Sequence, residues 1–187
     1  MFTSPRQEGN VVAGSMAGRD LVTTNNFSAP LAKTHIERLY DALKQEVQNS
    51  GQPIQTIEQL QHFMAAPPSQ VDRSLAAKLN DSGRSDLVET AELAKERAAK
   101  KIMRFQTSST AQEIFAYVLG ELHNKYVHHV RPLIAGGASR SEIDAAFEQK
   151  VVRPVVECMQ PSSLGMSPDI VQAFLFFLAG NCHVRWD

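Results

Sequence analysis

Between Thr107 and Ile134 the chain reads TSSTAQEIFAYVLGELHNKYVHHVRPLI. Phe115, Val118, Leu119, Leu122, Tyr126, Val130 and Leu133 recur there at steps of three or four, the period of one helix face. Thr110 and Glu113 have the spacing of a capping box, so the helix can start with its first amides satisfied. Roughly 24 residues at 1.5 Å each make a rod on the order of 36 Å long. Such a rod crosses a small domain and touches its other helices. The expected fold class is therefore all-α, a bundle of about six helices around this central one.

The flanking segments carry the same period. Ile36, Leu39, Leu43 and Val47 form a stripe over Thr34–Gln48, with Thr34 and Glu37 as a capping box. Ile57, Leu60, Phe63 and Met64 mark a short second helix before Pro67 and Pro68. Val71–Leu79 predicts a third. Ser85–Phe105 predicts a longer, more polar one, with acids early and Lys100, Lys101 and Arg104 late, as the helix dipole prefers. Pro132 and then Gly136-Gly137 should end the central helix. Ser139 and Glu142 cap the next, and Pro154 predicts a kink or break near Val152. Val-Arg-Pro occurs at 130–132 and again at 152–154; nothing flanking it repeats, so it reads as coincidence. The last helix starts at Ser167-Pro168-Asp169 in the preferred cap order. Its residues from Ile170 to Leu178 leave almost no polar face, so it should fill a core or meet another subunit.

Residues 1–30 differ from the rest. Glycines at 9, 14 and 18 separate short apolar groups, a pattern poor for helix and permissive for tight corners. The expectation is a short Gly-rich β arm that orders by pairing with other copies, followed by a helical assembly domain over 31–187. Lys and Arg number 19 against 20 for Asp and Glu, a net charge of -1. That balance lacks the excess of a dedicated nucleic-acid binder. Two cysteines, Cys158 and Cys182, without paired spacing fit a reducing compartment. No signal pattern or membrane-length apolar run stands in the chain, so a soluble cytoplasmic protein is expected.

No complete catalytic constellation is legible, and no cofactor or metal is expected. His123 and His128 are five apart, not the i, i+4 step of a helical zinc pair. His128 and His129 point about 100° apart. Cys182-His183 are neighbours, and adjacent residues rarely face each other as nucleophile and base. Gly14-Ser15 lacks the spacing of a nucleophile elbow, and no Walker loop is present. One alternative keeps a small helical nuclease or nucleic-acid-binding effector in view, using His123, Lys125, His128 and Arg131. The C-terminal Gly180-Asn-Cys-His-Val-Arg-Trp186-Asp187 ends on a residue that buries a large area wherever it finds a pocket. Trp186 is thus either part of this chain's own core or an anchor for a partner.

Both ends also carry a resemblance. Gly9-Asn10-Val11-Val12-Ala13-Gly14-Ser15-Met16-Ala17-Gly18-Arg19-Asp20 resembles the G-N-x-V-A-G-D-M-A-G-R-D segment found before domains of ABC-three-component systems, which are bacterial conflict and anti-phage modules. Ser15 stands where an Asp is common. Leu178 to Trp186 is similar to the T-G-x-C-H-x-R-W ending of their helical C-terminal domains. The resemblance implies a non-catalytic scaffold or adaptor in a complex with an ABC-type ATPase and an effector subunit. It implies contact with nucleic acid only through those partners, and none with a membrane. With only about 30 residues before the first helix, no effector domain is expected upstream.

In this reading Val11, Val12, Met16, Leu21 and Val22, with Arg19 and Asp20 beside them, join copies of the chain, while His183, Arg185 and Trp186 dock a partner. Deleting residues 1–26 should lower the oligomeric mass in light scattering and leave the helical circular dichroism intact. An unchanged mass refutes the arm.

Overall fold

An apolar helix needs a neighbour on every side, and the last helix of this chain finds them. The computed structural model describes residues 33–48, 57–67, 73–160, 162 and 164–186. The arm expected over residues 1–30 lies outside them. Within them the chain is all-α: α1 (His35–Gln48), α2 (Glu58–Met64), α3 (Leu75–Asp81), α4 (Val88–Arg104), α5 (Ser109–Lys125), α6 (Arg131–Ala135), α7 (Arg140–Ala146), α8 (Arg153–Cys158) and α9 (Pro168–Gly180). No helix among the described residues is long and apolar enough to cross a membrane.

Two rods share the core. α5 buries Ile114, Phe115, Val118, Leu119 and Leu122. α9 buries every residue from Ile170 to Ala179 except Gln172. Phe115 meets Phe174 at 5.7 Å between ring centroids. α4 lies along the other side of α9, and the fit is close: a methyl group on Gly180 would meet the Lys95 stem at 2.7 Å. α1 packs on α5 with Ile36, Leu39, Tyr40 and Leu43 buried. Each fully buried large apolar side chain contributes about 1.5–3 kcal/mol, so α9 supplies much of the driving force. The single central helix of the sequence reading is thus one of a pair.

Capping splits into what neighbours in sequence decide and what the fold decides. Thr34 and Glu37 form their capping box, with Thr34 N–H donating to Glu37 Oε2 at 2.7 Å and Glu37 N–H to Thr34 Oγ1 at 3.3 Å. Ser139 and Glu142 form theirs. The box expected from Thr110 and Glu113 gives way to another arrangement. Ser108 is the N-cap of α5, accepting from Ala111 N–H at 3.0 Å. The amides of Ser109 and Thr110 donate to the Glu46 carboxylate of α1, at 2.8 and 3.0 Å. Burial pushes the Glu46 carboxyl up, but hydrogen bonds from Thr110, Ser108 and Ser109 outweigh it and hold it below its ordinary range. An anion from one helix thus seats the positive end of another.

The two prolines do not stop their helices. A π-helical turn, Tyr126–Val130, joins α5 to α6, and a second, Phe147–Val152, joins α7 to α8. Arg131 N–H donates to the Tyr126 carbonyl and Arg153 N–H to the Glu148 carbonyl, each five residues back. Proline has no N–H to give, and its ring crowds the carbonyl four residues earlier. A wider turn just upstream relieves both, so the rod continues through Pro132 to Ala135 and through Pro154 to Cys158. The repeated Val-Arg-Pro therefore marks one local device used twice. Each turn also begins on an aromatic ring. Tyr126 and Phe147 stack at 6.0 Å with 12° between planes.

Trp186 continues that stack. It is 6% exposed, with Phe147 at 5.4 Å and Phe176 at 6.0 Å between ring centroids. Of the two readings offered for it, the structure shows the core one. Trp186→Ala should lower the free energy of unfolding by about 3–5 kcal/mol, read as a lower denaturant midpoint. A midpoint within error of the parent would mean that the ring lies elsewhere in solution.

Candidate functional site

The route of the last residues builds a cleft. α9 ends at Asn181, and Cys182 follows with φ of 63°. His183 N–H donates to the Leu178 carbonyl at 2.8 Å, the closing bond of a left-handed helix cap. The chain then turns back against α2 and the first π turn. Asn181 Nδ2 donates to the Phe63 carbonyl at 2.9 Å. His183 Nε2 lies 2.9 Å from the Ala65 carbonyl, which can only accept, so Nε2 carries the proton. Arg185 N–H donates to the Tyr126 hydroxyl at 3.3 Å.

These bonds leave a cleft of about 510 Å³. His62, His123, His183, Arg131, Arg185 and Tyr126 line it, over a floor that includes Pro67, Val127, Ile134 and Cys182. The ring centroids of His62 and His183 are 5.1 Å apart, and those of His123 and His183 5.9 Å. Phe63 stands edge-on to both His123 and His183. No carboxylate is among the described lining residues. The cleft thus presents protonatable and cationic groups over an apolar floor, the composition that receives an acidic group.

Among the described residues no group of three or more His, Cys, Asp or Glu is arranged to hold a metal ion. His183 faces the Ala65 carbonyl, while the Cys182 sulfur faces Lys78 at 2.9 Å, so the neighbouring Cys–His pair is split between two partners. Of the residues assigned to docking, His183 and Arg185 line the cleft. Trp186 is 6% exposed and packs in the core. Of the alternative set, His123 and Arg131 line the cleft. His128 is exposed and outside the lining, and Lys125 pairs with Glu121 at 3.6 Å. Sequence reasoning missed His62 and Lys78. His62 had no signal, because its partners are remote in the chain. Lys78 had one: it falls between Leu75 and Leu79 on the buried face of α3.

Burial holds His123 below the ordinary imidazole range, with His62 and Arg131 adding to the effect. Burial does the same for His183, and the Ala65 hydrogen bond only partly opposes it. A histidine with a lowered folded-state value binds fewer protons than the unfolded chain does near and below pH 6.5. Stability is then greatest above that point and falls as pH drops through it toward the lowered values. The melting temperature should therefore fall between about pH 7 and 5. His123→Gln should flatten that slope; a melting temperature constant over this window would refute the buried-histidine assignment.

Comparison with curated proteins and with solved structures returns no match. Residues 74–186 match the family model for C-terminal domain 9 of the ABC-three component (ABC-3C) systems. The matched region runs from the start of α3 through the tail that forms the cleft. By this match, which covers more than half of its length, the chain belongs to the family of C-terminal domain 9 of the ABC-3C systems.

Proposed function

We propose that this chain is a non-catalytic adaptor of an ABC-3C anti-phage complex. Copies of it associate through residues 1–30, and the cleft receives an acidic segment of the ATPase-bearing or effector-bearing subunit. Family membership supports the setting. The observation that carries the docking role is the cleft's lining: among the described residues it brings three imidazoles and two guanidinium side chains around an apolar floor, with no carboxylate. An acidic peptide with one apolar side chain meets both requirements. Such complementarity favours encounter and selects among partners.

Co-expression with the other products of the same operon tests this. The double variant Arg131→Glu with Arg185→Glu should weaken partner binding at least tenfold, about 1.4 kcal/mol. His128→Glu, outside the cleft, should leave it unchanged. Equal binding by the double variant and the parent, with helicity retained, would remove the cleft from the docking role.

A second reading has one observation in its favour: His123 and Arg131 of the nuclease alternative do share the cleft, joined there by His62 and His183. Incubating the purified chain with RNA and single-stranded DNA, with and without divalent metal, separates the two readings. Cleavage that disappears in His123→Gln would make this subunit the effector.

A further inference from the structure

Lys78 is 1% exposed, and its ammonium group is carried into the protein between α3 and the end of α9. Nζ donates to the Ala179 carbonyl at 2.7 Å and meets Cys182 Sγ at 2.9 Å. Among the described residues it makes no ion pair to a carboxylate. Burying an ammonium group on a carbonyl and a sulfur is costly compared with leaving it in water. Cys182 is unusual in a second, independent way. It occupies the left-handed position that closes α9, at φ of 63°, where glycine is ordinarily favoured and a side chain is strained. Both residues are thus held in unfavourable settings that put an amine against a sulfur. Cys182 is 2% exposed and is among the residues that line the cleft.

We propose that Lys78 and Cys182 are an oxidative cross-linking pair. Hydrogen peroxide entering the cleft is attacked by Sγ. An S–O bond forms, the O–O bond breaks, and the departing hydroxide leaves as water with the thiol proton. The product is a sulfenic acid, which can condense with a nitrogen. Lys78 Nζ, already in contact, releases its third ammonium proton to water and attacks the sulfur as the neutral amine. The S–N bond forms, the S–O bond breaks, and hydroxide leaves as a second water with a proton from the nitrogen. Thiol, amine and one peroxide become a sulfenamide and two waters. The cross-link ties α3 to the tail that shapes the cleft, and an external thiol reverses it by attack on sulfur. The geometry is independent of which partner the cleft receives.

The experiment uses the full chain carrying Cys158→Ser, since Cys158 is exposed and would otherwise compete as a thiol. Peroxide treatment should give a product about 2 Da lighter, from loss of two hydrogens. Proteolysis should then release one joined peptide containing Lys78 and Cys182, and dithiothreitol should restore both. Lys78→Arg should abolish the joined peptide and leave Cys182 as sulfinic or sulfonic acid. Three results would overturn the proposal on the parent alone, whatever the variant's folding: Cys182 oxidised with Lys78 unmodified, Cys182 untouched by peroxide, or a product that retains the oxygen between the two atoms.

Discussion

A helix without a polar face cannot end a chain unless the rest of the chain surrounds it. α9 has thirteen residues, nine of them apolar and buried, and the other elements are placed by the need to cover them. α5 supplies Phe115 against Phe174. α4 supplies a long flank, fitted where Gly180 leaves room for the Lys95 stem. The residues after α9 complete the cover, because Trp186 folds back onto Phe176 of the same helix. The tail is thus fixed by packing first, and the cleft forms beside it as a result. Its side chains are ordered by the core behind them.

Local signals were legible and remote ones were not. Thr34 with Glu37 and Ser139 with Glu142 could be read because each pair lies three residues apart and needs nothing else. Thr110 with Glu113 had the same spacing, yet Glu46 took the amides from across the fold. A spacing rule does not report a competitor some sixty residues earlier. The cleft was half legible for the same reason. His183 and Arg185 drew notice through an unusual chain ending, and His123 and Arg131 through their density on one helix. His62 drew none, since contacts remote in the chain bring its segment near, among them the bonds from Asn181 and His183 to the Phe63 and Ala65 carbonyls and the bond from Ile57 N–H to Gln112 Oε1.

Two buried cations show how differently the fold treats charge. Arg84 is 2% exposed and is matched by Asp144, which accepts from Nη2 at 2.9 Å and from Nε at 3.2 Å, while Nη1 donates to the Ser82 carbonyl. Arg140 joins Asp144 and makes a two-bond fork to Asp86 in the short 3-10 turn, Ser85–Leu87, that leads into α4. That network pins α7 to the 82–86 turn and satisfies its charges internally. Lys78 has no such carboxylate among the described residues; it leans on a carbonyl and a sulfur. The first arrangement reads as architecture, and the second leaves a reactive pair beneath the cleft.

The paired π turns have a consequence for how this fold can vary. One extra residue in an ordinary α-helix rotates everything beyond it by about 100° and carries the buried stripe off its partner. A widened turn has already absorbed such a residue without adding a full turn. Tyr126 and Phe147, the first residue of each turn, stack on one another, so the two irregularities are joined where they begin. Small differences in length can therefore be taken up at these two places, with α6 and α8 re-aimed beyond them. The cleft borders the first turn, through Tyr126 and Val127, so its outer wall can be reshaped for a new partner while the interior is kept.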